Sequence, residues 1–363
     1  MRTPVRVLIV DDSAVMRELL STVLSADLDI EVVGTAPDPF VAREQIKVLN
    51  PDVVTLDIEM PRMDGVTFLR KIMTLRPMPV VMISTLTQAG AEITLDALEI
   101  GAVDFIAKPT SNILSAMDGL ASELQEKVKA AGRTRVRAHR PRLSTPRGPN
   151  APPMRSAGRV VAIGASTGGV EALKVVLMGL PADCPPILIT QHMPPRFTAA
   201  FAERLNKECP MKVSEAVHEE IVEPGHAYVA PGSHHLELVR QGSRYVCALS
   251  DGDLVSGHRP SVDVLFRSVA RVVVKATIGV ILTGMGKDGA EGLLDLRHAG
   301  ATTFGQDEES SLIYGMPRVA FERGAVMYQR SLTDMADAIV DACDDHTVVT
   351  GQRRNAGYAA HMR

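Results

Sequence analysis

The sequence predicts two doubly wound parallel α/β domains in tandem, joined by a basic linker. Three observations carry that prediction. Short apolar runs alternate with amphipathic helical patterns through residues 5–125, and the alternation resumes after residue 159. Between the halves, Lys127 to Arg159 holds ten Lys and Arg, five prolines and no acidic residue. At 363 residues, 45% apolar and 23% charged, the chain has the size and composition of two globular domains, which excludes a wholly disordered one.

In the first half, strands are expected at Val5–Val10, Ile30–Ala36, Val53–Leu56, Val80–Ser84 and Val103–Ala107. Most are unbroken apolar runs, the mark of strands covered on both faces. Between them, Val15, Met16, Leu19, Leu20, Val23 and Leu24 recur on one helical face, as do Phe68, Leu69, Ile72 and Met73. Five β–α units with right-handed crossovers make a (βα)5 domain over 1–126. The linker, 127–158, lacks apolar periodicity from Arg133 and reads as an extended, self-repelling spacer or a basic docking strip.

In the second half, 159–349, strands are expected at Val160–Ile163, Ile187–Thr190, Thr277–Leu282 and Ala301–Phe304. Helices are expected at Val170–Met178, Pro195–Leu205, Val262–Ala270, Gly289–His298 and Thr333–Cys343. Turn signals at Glu223-Pro224-Gly225 and Gln241-Gly242-Ser243 predict β-hairpins on one edge of this second sheet. Residues 350–363 are polar and patternless, a flexible tail.

Composition narrows the function classes. A net charge of −4 demands no nucleic-acid partner, and the absence of Trp with 4% aromatics argues against base-stacking surfaces. The four cysteines show no C-x-x-C spacing, so neither a zinc ribbon nor a disulfide framework is expected, and they read as buried. The apolar run after Met1 stops at Asp11, too short for a signal sequence. No run is long enough to span a membrane, so a cytoplasmic location without membrane insertion is expected.

The first candidate site lies where strands end. Asp11 and Asp12 follow the first strand, Asp57 the third, Ser84 closes the fourth and Lys108 follows the fifth. In an open parallel sheet the carboxyl ends share one rim, where ligands bind. Three converging carboxylates need a cation between them, and an all-oxygen set suits Mg²⁺. With a hydroxyl and a lysine added, the set is suited to placing a phosphoryl group on Asp57, whereas Asp11 and Asp12 alone would serve as helix caps.

These residues, with Phe105 and the segment Asp57-Ile58-Glu59-Met60-Pro61-Arg62-Met63-Asp64-Gly65, resemble the receiver domain of two-component response regulators. The resemblance covers residues 5–125. It implies phosphorylation of Asp57 by a histidine kinase, Mg²⁺ held at Asp11, Asp12 and Asp57, and Ser84, Phe105 and Lys108 reporting the change to the α4–β5–α5 face.

The second candidate site is a serine on a strand–turn–helix. Val160–Ile163 runs into Gly164-Ala165-Ser166-Thr167-Gly168-Gly169, then a helix. Such a turn lifts a serine hydroxyl clear of the sheet, and the helix N-terminus offers N–H groups to an oxyanion. The same loop equally suits a phosphate. His192 follows the strand Ile187–Thr190, and Asp288 follows Thr277–Leu282, so Ser166, His192 and Asp288 share one rim. Asp288 and its rival Asp263 both lie at helix starts, where capping is the alternative role. Backbone groups near Thr167 or Met285 are candidates for an oxyanion hole. The remaining histidines show no metal-ligand spacing.

The segments Gly164–Gly169, Thr190–Pro194, His258–Asp263, Leu282–Gly289 and Gln306–Pro317 resemble the catalytic domain of the chemotaxis protein-glutamate methylesterase family. The resemblance implies that Ser166, His192 and Asp288 form the triad. It also implies that the substrates are glutamate methyl esters of methyl-accepting chemotaxis receptors, with deamidation of selected receptor glutamines. Ester hydrolysis needs no cofactor. The expected function is therefore a phosphorylation-activated serine esterase. The rivals are a receiver driving a nucleotide-binding module, and a transcription regulator, for which no helix-turn-helix follows residue 159.

Overall fold

A computed structural model describes residues 3–85, 87–108, 113–134, 158–273 and 277–344, with the side chains of 113–120 outside that description. The first half contains β1 (Val5–Val10), α1 (Ala14–Ser25), β2 (Ile30–Ala36), α2 (Pro39–Leu49), β3 (Val53–Asp57), α3 (Gly65–Leu75), β4 (Val80–Ser84), α4 (Gln88–Ile100), β5 (Asp104–Ala107) and α5 (Ile113–Gly132). The strands pair in parallel in the order β2-β1-β3-β4-β5, with the chain reversing its winding direction beside β1. Each of α1 to α4 starts at a side-chain cap, from Ser13, Asp38, Asp64 and Thr87 in turn.

The linker was expected to open at residue 127, but α5 continues to Gly132. Val128 and Ala131 are fully buried in the apolar layer that also holds Val5, Val7 and Ile9, so the helix keeps a core-facing stripe into the basic stretch. Most of the expected linker, and the expected tail, lie outside the described residues.

The second half contains β6 (Val160–Ala165), α6 (Gly169–Gly179), β7 (Ile187–Gln191), α7 (Phe197–Glu208), β8 (Lys212–Glu215), β9 (His226–Val229), β10 (His235–Gln241), β11 (Arg244–Ser250), α8 (Val262–Val272), β12 (Thr277–Ile281), α9 (Ala290–His298), β13 (Thr302–Gln306), α10 (Met316–Glu322), β14 (Tyr328–Arg330), a single 3-10 turn at Leu332–Asp334 and α11 (Met335–Asp344). Seven strands pair in parallel in the order β14-β13-β12-β6-β7-β9-β8. The three strands expected to carry the serine, histidine and aspartate, β6, β7 and β12, are adjacent at the centre, where the winding direction switches.

The expected hairpin forms at Gln241-Gly242-Ser243, but β10 and β11 make a separate two-stranded sheet packed on α8 rather than an edge of the large one. Glu223-Pro224-Gly225 is not a hairpin turn. It leads into β9, which lies parallel between β7 and β8. The expected helix Thr333–Cys343 is divided, with Ser331 capping the 3-10 turn before α11 begins. Cys184, Cys247 and Cys343 are buried as expected, whereas Cys209 is half-buried at the end of α7.

The two halves are docked. Phe105 of β5 stacks on Phe197 of α7, ring centroids 4.6 Å apart. Glu99 of α4 pairs with Lys174 of α6 at 2.8 Å and with Arg204 of α7, which also reaches Asp96 at 2.7 Å. Asp104 of β5 accepts a hydrogen bond from the Thr167 hydroxyl. Lys127 of α5 braces Asp104 at 3.3 Å; burial opposes its charge, but Asp104 and Glu123 raise its pKa above the ordinary lysine value.

Close packing of α8 on β6 depends on a missing side chain. A Cβ on Gly164 would stand 2.1 Å from Cγ1 of Val262. We therefore expect Gly164→Ala to destabilise the chain by about 1–3 kcal/mol through overpacking. In a double-mutant cycle, the same change should cost less in a Val262→Ala background, measured by denaturant or thermal unfolding. Equal costs in both backgrounds would contradict this contact.

Candidate active site

Ser166 directly follows β6, His192 directly follows β7, and Asp288 lies at the end of the loop after β12. The sequence expectation of a common rim holds for all three. Ser166 and His192 line one cavity of about 1280 Å³, together with Gln191, Thr283 and Met285. The turn is fixed through backbone groups. Ser166 N–H donates to the Thr283 carbonyl at 3.1 Å, and Gly169 N–H donates to the Ser166 carbonyl at 2.7 Å. Gly168 has φ 78°, and a Cβ there would meet Leu312 at 2.8 Å, so glycine is required on both counts.

His192 Nε2 lies 2.9 Å from Oδ2 of Asp288, with both side chains nearly buried. Burial alone would raise the Asp288 pKa. The hydrogen bond and charge of His192, the Val262 N–H and the Ser261 hydroxyl outweigh it and hold the carboxyl below its ordinary value. An ionised carboxylate only accepts, so Nε2 carries the hydrogen and Nδ1 is left as the basic nitrogen. Nδ1 is buried with no hydrogen-bond partner.

The expected choice between capping and site roles at Asp288 and Asp263 resolves into a crossed pair. Asp288 caps not α9, which it precedes in sequence, but α8: it accepts from Val262 N–H at 2.7 Å, Asp263 N–H at 3.2 Å and the Ser261 hydroxyl at 2.8 Å. Asp263, in the first turn of α8, caps α9 through Gly292 N–H at 2.7 Å. The N-cap of α8 is Ser261, not Asp263. Asp263 is 3% exposed, and burial raises its pKa. Its carboxylate is turned to α9, away from His192.

Four neighbours were not singled out from the sequence. The Gln191 amide donates to the carbonyls of both Ser166, at 3.0 Å, and His192, at 3.2 Å, tying the two loops together. Ser261 anchors Asp288. His235 is held between Ser261 N–H and the Asp253 carbonyl. His258 stacks on His192. Gln191 and His258 lay inside segments marked as distinctive, which was the available signal. Of the two oxyanion candidates, Met285 lines the cavity, while Thr167 is buried with its hydroxyl turned to Asp104.

On the first domain's rim, Asp11, Asp12 and Asp57 offer oxygens within 4.8 Å of one another. Lys108 reaches Asp57 at 2.7 Å and Asp11 at 3.2 Å. Burial, reinforced by Asp11, pushes the Asp57 pKa up to about 6 even though Lys108 pulls the other way. Asp57 Oδ2 is buried and accepts no hydrogen bond. A cramped, under-satisfied, all-oxygen cluster fits a small divalent cation. Ser84 is buried and accepts a 2.6 Å hydrogen bond from Thr94 of α4, while Phe105 faces the second domain.

Comparisons with known proteins agree with this geometry. Residues 161–339 match the family described as CheB methylesterase, and residues 7–117 match the response regulator receiver domain. The chain is 58% identical over 338 residues to protein-glutamate methylesterase/protein-glutamine glutaminase 1 of Caulobacter vibrioides, covering 93% of this chain and 97% of that protein. It is 54% identical over 340 residues to the protein-glutamate methylesterase/protein-glutamine glutaminase of Methylobacillus flagellatus, covering 93% and 96%. The solved CheB methylesterase catalytic domain of Thermotoga maritima matches 51% of this chain and 98% of its own length at 36% identity and a TM-score of 0.50. With such identity across nearly the whole of both chains, this chain belongs to the protein-glutamate methylesterase/protein-glutamine glutaminase family, a response regulator receiver domain followed by a methylesterase domain.

Proposed function

We propose that this protein hydrolyses glutamate methyl esters on methyl-accepting chemotaxis receptors, releasing methanol, and deamidates receptor glutamines at the same site. The observation that carries this reading is His192, held by Asp288 through Nε2 with Nδ1 free on the rim it shares with Ser166. Ser166 Oγ attacks the side-chain carbonyl carbon and its proton passes to His192 Nδ1. The tetrahedral intermediate collapses, the C–O bond to the methoxy group breaks, and Nδ1–H protonates the departing methoxide to give methanol. Water then attacks the acyl-enzyme, giving its proton to Nδ1, and Ser166 takes that proton back as glutamate leaves. For a glutamine substrate the C–N bond breaks and ammonia leaves instead. Asp288 stays ionised throughout and stabilises the imidazolium. Backbone N–H groups near Thr167 or Met285 are assigned to the oxyanion.

Control is assigned to the receiver half, with a histidine kinase as phosphodonor and Asp57 as acceptor. Asp11, Asp12 and Asp57 would hold Mg²⁺, which when bound offsets the phosphoryl charge. Lys108 already reaches Asp57 at 2.7 Å, and Ser84 closes the neighbouring strand β4 on the same rim. Ser84 is tied to α4 through Thr94, and α4 carries Asp96 and Glu99, the acids that hold Arg204 and Lys174. β5 carries Asp104 and Phe105 against Thr167 and Phe197. In the docked arrangement the receiver covers the loop beside Ser166, so phosphorylation would activate by loosening this face. No helix of the described residues is long and apolar enough to cross a membrane, which agrees with action from the cytoplasm.

Methanol release from membranes bearing methyl-esterified receptors tests the reading. Ser166→Ala should abolish it in a folded protein, and Asp288→Asn should lower kcat by roughly two to four orders of magnitude. Asp263→Ala should leave kcat within a few-fold but lower Tm through loss of the α9 cap, about 1 kcal/mol. A large rate loss at Asp263 with little at Asp288 would reverse the assignment. For control, Arg204→Glu sets like charges against Asp96 and Glu99. It should raise the activity of the unphosphorylated full chain severalfold and shrink the further gain from acetyl phosphate with Mg²⁺. Unchanged basal activity would remove this ionic contact from the inhibitory interface.

A further inference from the structure

The imidazole of His258 lies flat against that of His192, with ring centroids 3.8 Å apart and planes 13° from parallel. In that reaction His258 makes and breaks no bond, yet several contacts hold its segment in place. Backbone hydrogen bonds of 3.0 and 3.1 Å join His258 to Val255 across a tight turn. The next residue, Arg259, anchors the strand of chain by donating to the carbonyls of Asp251 and Gly252. Ser261, three residues on, binds the same carboxylate that holds His192. One short segment therefore supplies both the stacked ring and the anchor of Asp288.

A hydrogen bond at Nε2 fixes one point of the His192 ring and leaves its plane free to turn about that contact. A second flat ring at stacking distance removes this freedom, and with it sets the direction in which Nδ1 points. Burial, followed by the nearby His192, pushes the His258 pKa down to about 4, so the His258 ring is neutral near neutral pH. The charged groups felt at His258 are Asp288 and, from α5, Glu123 and Lys127. A neutral ring face attracts a cation laid on it. That attraction arises only once His192 has taken the Ser166 proton, so it acts in the transition state and not on bound substrate.

We propose that His258 is a positioning residue for this reaction: its ring sets the plane of the His192 imidazole and favours the imidazolium that forms when Ser166 is deprotonated. The proposal rests on His192 being the base, and the experiment separates the two. Full-length His258→Ala, His258→Phe and His258→Leu are compared with the unsubstituted chain, Ser166→Ala and His192→Ala for kcat and KM on methyl-esterified receptor membranes, with Tm recorded for each. His258→Ala should lose about tenfold in kcat with KM little changed, the effect of a cation–ring attraction confined to the transition state. His258→Phe, which restores a flat ring, should recover most of that loss, while His258→Leu, with bulk but no ring face, should resemble His258→Ala. If His258→Ala does not fold, the contrast between Phe and Leu still decides. Equal kcat for Phe and Leu, a loss confined to KM, or an unaffected His258→Ala beside inactive Ser166→Ala and His192→Ala would overturn the stacking role alone. Full activity in Ser166→Ala or His192→Ala would overturn the site reading and this proposal with it.

Discussion

The second domain depends on one buried carboxylate. Asp288 sits among groups that only donate to it: the first N–H groups of α8, the Ser261 hydroxyl and His192 Nε2. A buried charge without such partners costs several kcal/mol, so its neighbours are constrained as strongly as it is. That requirement joins the loop after β12 to the start of α8 and to the end of β7. The crossing with Asp263, which caps α9 in return, locks the two helices together at their N-termini. The arrangement that stabilises this corner of the fold is the same one that leaves His192 Nδ1 without a hydrogen-bond partner.

The two rims follow different electrostatic rules. On the first, three carboxylates and one lysine crowd together, and Asp57 is held in a poorly satisfied state that a cation or a phosphoryl group would change. On the second, the one buried carboxylate is fully satisfied by donors. β5 runs between them. It leads at its end to Lys108, on Asp57, and presents Asp104 and Phe105 to Thr167 and Phe197. A change in what Lys108 holds thus has a short physical route to the loop that carries Ser166.

Much of this was readable in the sequence because parallel strands buried on both faces leave an unmistakable apolar record. The first four receiver strands, together with β6, β7 and β12, were placed almost to the residue, and residues just past such strands fall on one rim by topology alone. Ser166, His192, Asp288, Asp11, Asp57 and Lys108 were legible for that reason. The resemblance to two known families then supplied roles that position alone leaves open. What stayed hidden was set by contacts distant in sequence. An Asp before a helix reads as its cap, and nothing local says that Asp288 turns to α8 and Asp263 to α9. β9 follows the turn signal at Glu223-Pro224-Gly225, so it resembled a hairpin arm although it joins a parallel sheet, and the short β8 was not anticipated. β14 is three residues at an edge, and α10 carries Pro317 in its first turn. The stacking of His258 on His192 brings together residues 66 positions apart in sequence, which no periodicity reports.

The account turns on which nitrogen of His192 carries the hydrogen, because that decides which nitrogen is free to act as base. Long-range proton–nitrogen correlation spectra of the full-length chain with ¹⁵N-labelled histidine, assigned with His192→Gln, measure this directly. Near neutral pH the account predicts Nε2–H with an unprotonated Nδ1 in the unsubstituted protein, and loss of that single-tautomer signature in Asp288→Ala. A hydrogen on Nδ1, or a His192 tautomer indifferent to Asp288, would contradict it.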